Sequence, residues 1–329
     1  MSAKFTALVP RYATADKTTF ATIVSYGSLA DMASALPGCP LYPRKRQDRR
    51  RRWVTAISRY LAAGMHGIGD LTARGNGRSV RGRRGEAVRG TIMTTSPQGA
   101  RIVVSKDGPY IVSGEVLLAD QTIVTDAQGN SQSWEEGNKY SVRKGYALCR
   151  CGHSNSKPFC DDTHTKIGFD GTETASRASY LDQAKAFDGP ALRLTDAEGL
   201  CASARFCDPN GKVWTQVAHT DDPAVKAMFV RQVNDCPSGR LVAWDKATGS
   251  PVEHRLPVSI GLIEDPAEHC SGPIWLRGGI AVVSADGFEY EARNRMTLCR
   301  CGASKNKPFC DGAHASVKFD ARKKAQPAS

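Results

Sequence analysis

One block of this 329-residue chain occurs twice. Leu148-Cys149-Arg150-Cys151-Gly152 returns as Leu298-Cys299-Arg300-Cys301-Gly302, and Lys157-Pro158-Phe159-Cys160-Asp161 returns as Lys307-Pro308-Phe309-Cys310-Asp311. His164 returns as His314, so three cysteines and a histidine recur with a constant offset of 150 residues. Upstream, Gly108-Pro109 with its apolar run and Gly114 are echoed by Gly272-Pro273 and Gly278. Each half therefore reads as short strands, a turn and a cysteine loop. Duplication is the constraint that any fold of this chain must satisfy.

The chain has eleven cysteines. Cys39 stands alone, and the rest fall into Cys149/Cys151/Cys160, Cys201/Cys207/Cys236, Cys270 and Cys299/Cys301/Cys310. Pairs separated by one residue with a histidine downstream read as metal ligands rather than as a disulfide ladder. No secretory leader precedes them, which points to a reducing compartment, expected to be the cytoplasm. Spacing alone leaves a Cys3His zinc site open.

Both copies spell C-x-C-x2-S-x3-P-x-C-D-x-x-H. This pattern resembles the CDGSH iron–sulfur family, which includes mitoNEET. The resemblance implies two [2Fe–2S] clusters, one on Cys149, Cys151, Cys160 and His164 and one on Cys299, Cys301, Cys310 and His314. It also implies two small β-rich units packed as a pseudo-symmetric pair, as protomers pair in the family's dimers, so that a monomer suffices. Cys-x-Cys would put two thiolates on one iron, and Cys-x3-His would serve the other from the start of a helix that Asp161 or Asp311 can cap. A neutral imidazole in place of a thiolate raises the potential and makes the site titratable. The first copy departs from the family signature at Asp162, where the second has Gly312. Asp tolerates unusual backbone angles, so the first site is expected to survive. Lys157 and Lys307 stand where they can stabilise a reduced cluster. His153 is Ala303 in the other copy and is not expected to be a ligand.

Between the copies lie Cys201-x5-Cys207 and Cys236-Pro237-Ser238-Gly239, separated by an amphipathic stretch at 222–234. Bacterial ferredoxins use C-x2-C-x2-C with a distant Cys-Pro; here Ala204 takes the middle position. The segment resembles divergent single-cluster ferredoxin domains. The resemblance implies a third cluster on Cys201, Cys207 and Cys236, either [3Fe–4S] or [4Fe–4S] with a fourth ligand not provided by cysteine. Relatives carry a histidine two residues after the first cysteine, and this chain has Ser203. His219, His269 and Cys270 are the remaining candidates, with Cys270 read as an ordinary thiol. Trp134, Trp214, Trp244 and Trp275 are expected to pack rather than relay electrons.

Charge divides the chain. Its net +12 lies entirely in residues 1–92, which hold 17 basic and 5 acidic groups, leaving 28 of each sign in the remainder. A nucleic-acid partner is therefore not expected of the balanced portion. The Arg-rich segment reads as an organellar transit peptide, as a basic disordered arm that could bind nucleic acid or anionic surfaces, or as a dispensable extension or sequence upstream of a true start at Met93. No apolar run approaches the roughly 20 residues of a membrane span. No P-loop, nucleophile elbow or hydrolytic triad is found. The expected class is α+β: the arm at 1–92, a CDGSH-type domain at 93–180, a ferredoxin-like domain at 188–266 and a second CDGSH-type domain at 267–329. The expected role is non-enzymatic electron transfer with a reductase or ferredoxin-linked oxidoreductase. Cluster donation to apo iron–sulfur acceptors, or redox and pH sensing, is the alternative; a zinc-stabilised binding module comes third.

Overall fold

The computed structural model describes residues 99–322; the expectations for the basic arm, and for Cys39 within it, lie outside the described residues. In the first half, the Val/Ile-rich runs become β1 (Arg101–Val104), β2 (Tyr110–Ser113) and β3 (Leu117–Thr125), followed by the more polar β4 (Ser131–Tyr140) and the short β5 (Gly145–Leu148). The middle supplies β6 (Lys185–Asp188), β7 (Leu192–Asp196) and β8 (Leu241–Asp245). The second half supplies β9 (Ser259–Asp265), β10 (Cys270–Arg277), β11 (Ala281–Val283), β12 (Glu289–Tyr290) and β13 (Arg295–Leu298). Helices are short: α1 (Thr163–Lys166), α2 (Tyr180–Gln183), α3 (Val213–Gln216), α4 (Pro223–Asp235) and α5 (Ala313–Ser316). The described part is β-rich α+β, and none of its helices is long and apolar enough to cross a membrane.

The two copies share one strand register. Tyr110 of β2 stands opposite Val104 of β1 and Leu148 of β5, and Ile274 of β10 stands opposite Leu262 of β9 and Leu298 of β13. Each copy then gives its next hairpin away. β3 pairs in parallel with β9, with Leu118 opposite Ile260, and β11 pairs in parallel with β1, with Ile102 opposite Val282. The sheets are β12-β11-β1-β2-β5 and β13-β10-β9-β3-β4, each with three strands of one copy and two of the other. β9 lies inside the 188–266 span read as the middle domain, yet it is the central strand of the second sheet.

The repeated glycines mark where each chain segment changes sheet. Gly114 and Gly278 have φ of 90° and 79°, a region that side chains disfavour. A Cβ there would stand 3.2 Å from the Ala100 Cα or 2.6 Å from the Leu256 carbonyl oxygen. The exchange also fuses the cores. Ile102, Val112 and Leu148 of the first copy share one buried cluster with Ile260, Ile274 and Leu298 of the second. A fully buried side chain of this size contributes about 1.5–3 kcal/mol, and the cluster it joins draws on both copies.

The middle segment keeps its own core. β6, β7 and β8 form an antiparallel sheet, and Leu192, Leu194 and Leu241 pack with Phe229 and Val233 of α4. That helix is the amphipathic stretch of the sequence; the Asp222 carboxylate accepts from the Ala224 and Val225 N–H groups at 2.7 and 3.2 Å, a side-chain cap. A second small cluster, Ile123, Phe206, Ile263 and Trp275, ties the Cys201–Cys207 loop to the second sheet.

Strand exchange predicts that neither copy stands alone. A fragment covering residues 99–180 is expected either to lack a cooperative unfolding transition or to self-associate so that a second fragment supplies the missing strands. Circular dichroism combined with sedimentation checks this; a folded monomeric fragment contradicts the shared core.

Candidate metal centres

Each cysteine loop is built backwards from the sheet. The last strand ends at Leu148 or Leu298, and the next residue, Cys149 or Cys299, donates its N–H to Pro158 O or Pro308 O at 2.8 and 2.9 Å. Cys160 and Cys310 donate to Ala147 O and Thr297 O, both at 2.9 Å. The motif serine closes the loop: the buried Ser154 hydroxyl donates to Phe159 O at 2.6 Å, and Ser304 to Phe309 O at 2.8 Å. The motif aspartate joins loop to helix. Asp161 accepts from Thr163 N–H and Asn155 N–H at 3.1 and 2.9 Å, and Asp311 from Ala313 N–H and Lys305 N–H at 3.0 and 2.7 Å. The N-cap position itself is Asp162 or Gly312, at φ 69° and 86°. Asp162 thus adopts the left-handed backbone that its place requires.

The donors fall into two pairs per site. Cys149 Sγ and Cys151 Sγ are 3.8 Å apart, as are Cys299 Sγ and Cys301 Sγ. Two thiolates about 2.3 Å from one tetrahedral metal stand about 3.8 Å apart. Cys160 Sγ lies 3.3 Å from His164 Nδ1, and Cys310 Sγ 3.4 Å from His314 Nδ1. Thiolate and imidazole on one metal would be about 3.6 Å apart. The pairs do not converge on a common point. Among the described residues no three of these thiol and imidazole donors lie within 4.8 Å of one another; the one such trio of candidate ligand groups is Cys160, His164 and Asp162. A single tetrahedral ion would hold all four donors within about 3.8 Å. The donor set therefore fits two metals per loop better than one.

Electrostatics favour one thiolate per site, while the other two thiols are pushed up. In each pair the first thiol, Cys149 or Cys299, is held below the ordinary thiol range, first by its neighbour Cys151 or Cys301 and then, against the opposing effect of burial, by backbone N–H groups and Lys157 or Lys307. Between the paired cysteines lies a buried arginine. Arg150 donates to the Ser105 and Gly171 carbonyls, and Arg300 donates to the Gly272 and Ile263 carbonyls and pairs with Glu264 at 2.8 Å. Their verbatim repetition was a visible signal; the metal-ligand reading passed over them because arginine ligates nothing.

The middle cysteines also meet. Cys201, Cys207 and Cys236 line one small pocket with Ser203, Arg205 and Arg240. Burial pushes the Cys207 thiol up to about 12, with Asp208, Cys236 and Cys201 adding to the shift. Arg240 lines the pocket with the Cys201 thiol and is fixed by Asp196 at 2.5 and 2.8 Å, while Trp214 donates to the same carboxylate at 2.9 Å. Trp214 thus orients a charge as well as packing. His219 and His269 are exposed and Cys270 is buried on β10, and none of the three lines the pocket.

Against family models, residues 107–165 and 271–315 match the iron-binding zinc finger of CDGSH type, and residues 187–246 match the divergent 4Fe-4S mono-cluster family. The chain carries two CDGSH-type regions around a divergent mono-cluster region. No curated protein and no solved structure matches it. The layout is that of an iron–sulfur cluster-binding chain.

The two CDGSH loops touch. A Cβ on Gly152 would stand 2.5 Å from the Cys301 carbonyl oxygen, and one on Gly302 would stand 2.5 Å from the Cys151 carbonyl oxygen. No other residue fits there. Two further contacts join the copies without symmetry. The Tyr110 hydroxyl donates to Cys299 O or Pro308 O at 2.9 and 3.0 Å, whereas its counterpart in β10 is Ile274. The stretch at 169–179, which reads as a connector in the sequence, is a strap on the second loop: Thr174 N–H and Ala175 N–H donate to Lys307 O at 2.8 and 2.9 Å.

Tyr110→Phe removes a buried hydroxyl that donates to the second CDGSH loop, where Pro308 O keeps the Cys299 N–H and Cys299 O loses this donor, at a cost of about 1–3 kcal/mol. The expected outcome is a lower denaturation midpoint together with faster loss of the second centre than of the first. Equal losses from both centres, followed by visible absorption and EPR, contradict the contact's one-sided role.

Proposed function

We propose that this chain is an electron carrier. Cys149, Cys151, Cys160 and His164 hold one [2Fe–2S] cluster, and Cys299, Cys301, Cys310 and His314 hold a second. Cys201, Cys207 and Cys236 hold a third, either [3Fe–4S] or [4Fe–4S]; no histidine or fourth cysteine lines their pocket, and the Asp208 carboxylate lies 3.7 Å from Cys207 Sγ. The observation that carries the reading is the separation of each donor set into a thiolate pair and a thiolate–imidazole pair. The clusters supply one-electron chemistry. The protein's own groups set its terms: Lys157, Lys307 and Arg240 place positive charge near Cys149, Cys299 and Cys201 and favour the reduced state. Duplication within one chain supplies both halves of the strand exchange, so a monomer is sufficient. The partner is a one-electron redox protein.

The half-buried His164 favours a second reading, donation of the first cluster to an apo acceptor. Mixing dithionite-reduced protein with an oxidised ferredoxin, and separately with an apo-ferredoxin, distinguishes the two. Electron carriage predicts reduction of the ferredoxin with the donor's visible spectrum retained; quantitative appearance of cluster on the apo acceptor contradicts it.

Acid separates the two CDGSH sites. Burial, and then Arg300, pushes His314 from its ordinary 6.5 down to about 4. The folded site refuses a proton that an opened site takes up, so its stability is complete above about pH 6.5 and declines as pH falls towards 4. His314 is 4% exposed, whereas His164 is half-buried. On stepwise acidification the first-site EPR signal is expected to disappear at a higher pH than the second, and His314→Cys is expected to slow the later loss. An unchanged acid profile in His314→Cys contradicts its role as a ligand.

A further inference from the structure

Among the described residues, the contacts of the middle segment with a CDGSH loop fall on the second. A Cβ added to Gly312 would stand 2.3 Å from Ser203 Oγ and 3.5 Å from the Cys201 carbonyl oxygen. Gly199 O accepts from Asn306 Nδ2 at 2.9 Å, and Ser238 O and Gly239 O accept from Arg293 at 3.0 and 3.1 Å. Arg205, between Cys201 and Cys207, forms a bidentate pair with the buried Asp265 at 2.6 and 3.0 Å. The middle loop thus packs over the Cys310–His314 side of the second site.

Cover and exposure follow from this. Cys310 and His314 are 2% and 4% exposed, whereas Cys160 and His164 remain half-buried, as do Cys201, Cys207 and Cys236. A partner protein can approach the His side of the first site and the middle centre, but not that of the second site. The second site nonetheless touches both: the first through Gly152 and Gly302, the middle through Gly312 and Ser203.

We propose that the second CDGSH site is an internal relay, joining the first site to the middle centre, and that these two are the ends at which outside partners dock. In one passage an external one-electron donor is oxidised at one end and an external one-electron acceptor is reduced at the other. One electron crosses the second site between them, and no proton or bond is exchanged. This inference rests on the cluster assignment above.

The test is pulsed EPR on the full chain, reading the spin–lattice relaxation of each CDGSH signal. Removing the middle centre with Cys236→Ser is expected to slow relaxation of the second signal several-fold and to leave the first within error. Removing the first with Cys149→Ser is expected to slow the second signal as well. Redox titration of the unmodified protein reads the same order without a variant: changing the oxidation state of the middle centre alters relaxation of the second signal alone. Three signals in which the first and middle centres couple directly, or in which the second is blind to the middle, overturn the relay while the cluster assignment stands. Absence of a third signal from the unmodified protein overturns the assignment and the relay together.

Discussion

The parallel pairing of β3 with β9 and of β1 with β11 is the interaction on which the rest of this structure depends. Each CDGSH-type copy has too few strands to cover its own apolar face, and a small unit of that kind is marginal alone. Exchange gives each sheet five strands and merges the two hydrophobic faces into one core. It also fixes the distance between the cysteine loops. Those loops meet at Gly152 and Gly302 because β5 and β13 deliver them to a shared pseudo-two-fold position. The glycines permit backbone to lie against backbone.

The duplication is broken by what was inserted into it. One loop carries Asp162 in a left-handed backbone. Its counterpart must be Gly312, because Ser203 occupies the space that a side chain would take. The same asymmetry buries His314 and leaves His164 partly open to water. Two copies with one donor set thereby acquire different solvent access, and different access is how a protein tunes otherwise equivalent clusters.

Much of this was legible in the sequence because ligand chemistry is local. The meeting of Cys149 with Cys151 and of Cys160 with His164, the short strands before each cysteine loop and the amphipathic stretch at 222–234 all follow from short-range spacing and periodicity. The exchanged strands did not, since nothing in Leu117–Thr125 or Ala281–Val283 distinguishes a strand paired within its own copy from one paired across copies. Register with a distant partner leaves no local mark. Ser259–Asp265 was read into the middle segment for the same reason. Arg150 and Arg300 repeat without change, yet their role emerged only once the carbonyls of Ser105, Gly171, Gly272 and Ile263 were seen to surround them. The stretch at 169–179 has the composition of a linker, and its binding to Lys307 O is a property of backbone position rather than of side chains.

The central claim is that each CDGSH loop divides its four donors between two irons. Mössbauer spectroscopy on full-length, anaerobically purified and isotopically iron-enriched protein tests it most directly. The account predicts that, on one-electron reduction of each CDGSH centre, a localised ferrous site with nitrogen ligation appears beside a ferric site with all-sulfur ligation. Zinc in place of iron, or mononuclear iron with no inorganic sulfide, would contradict it.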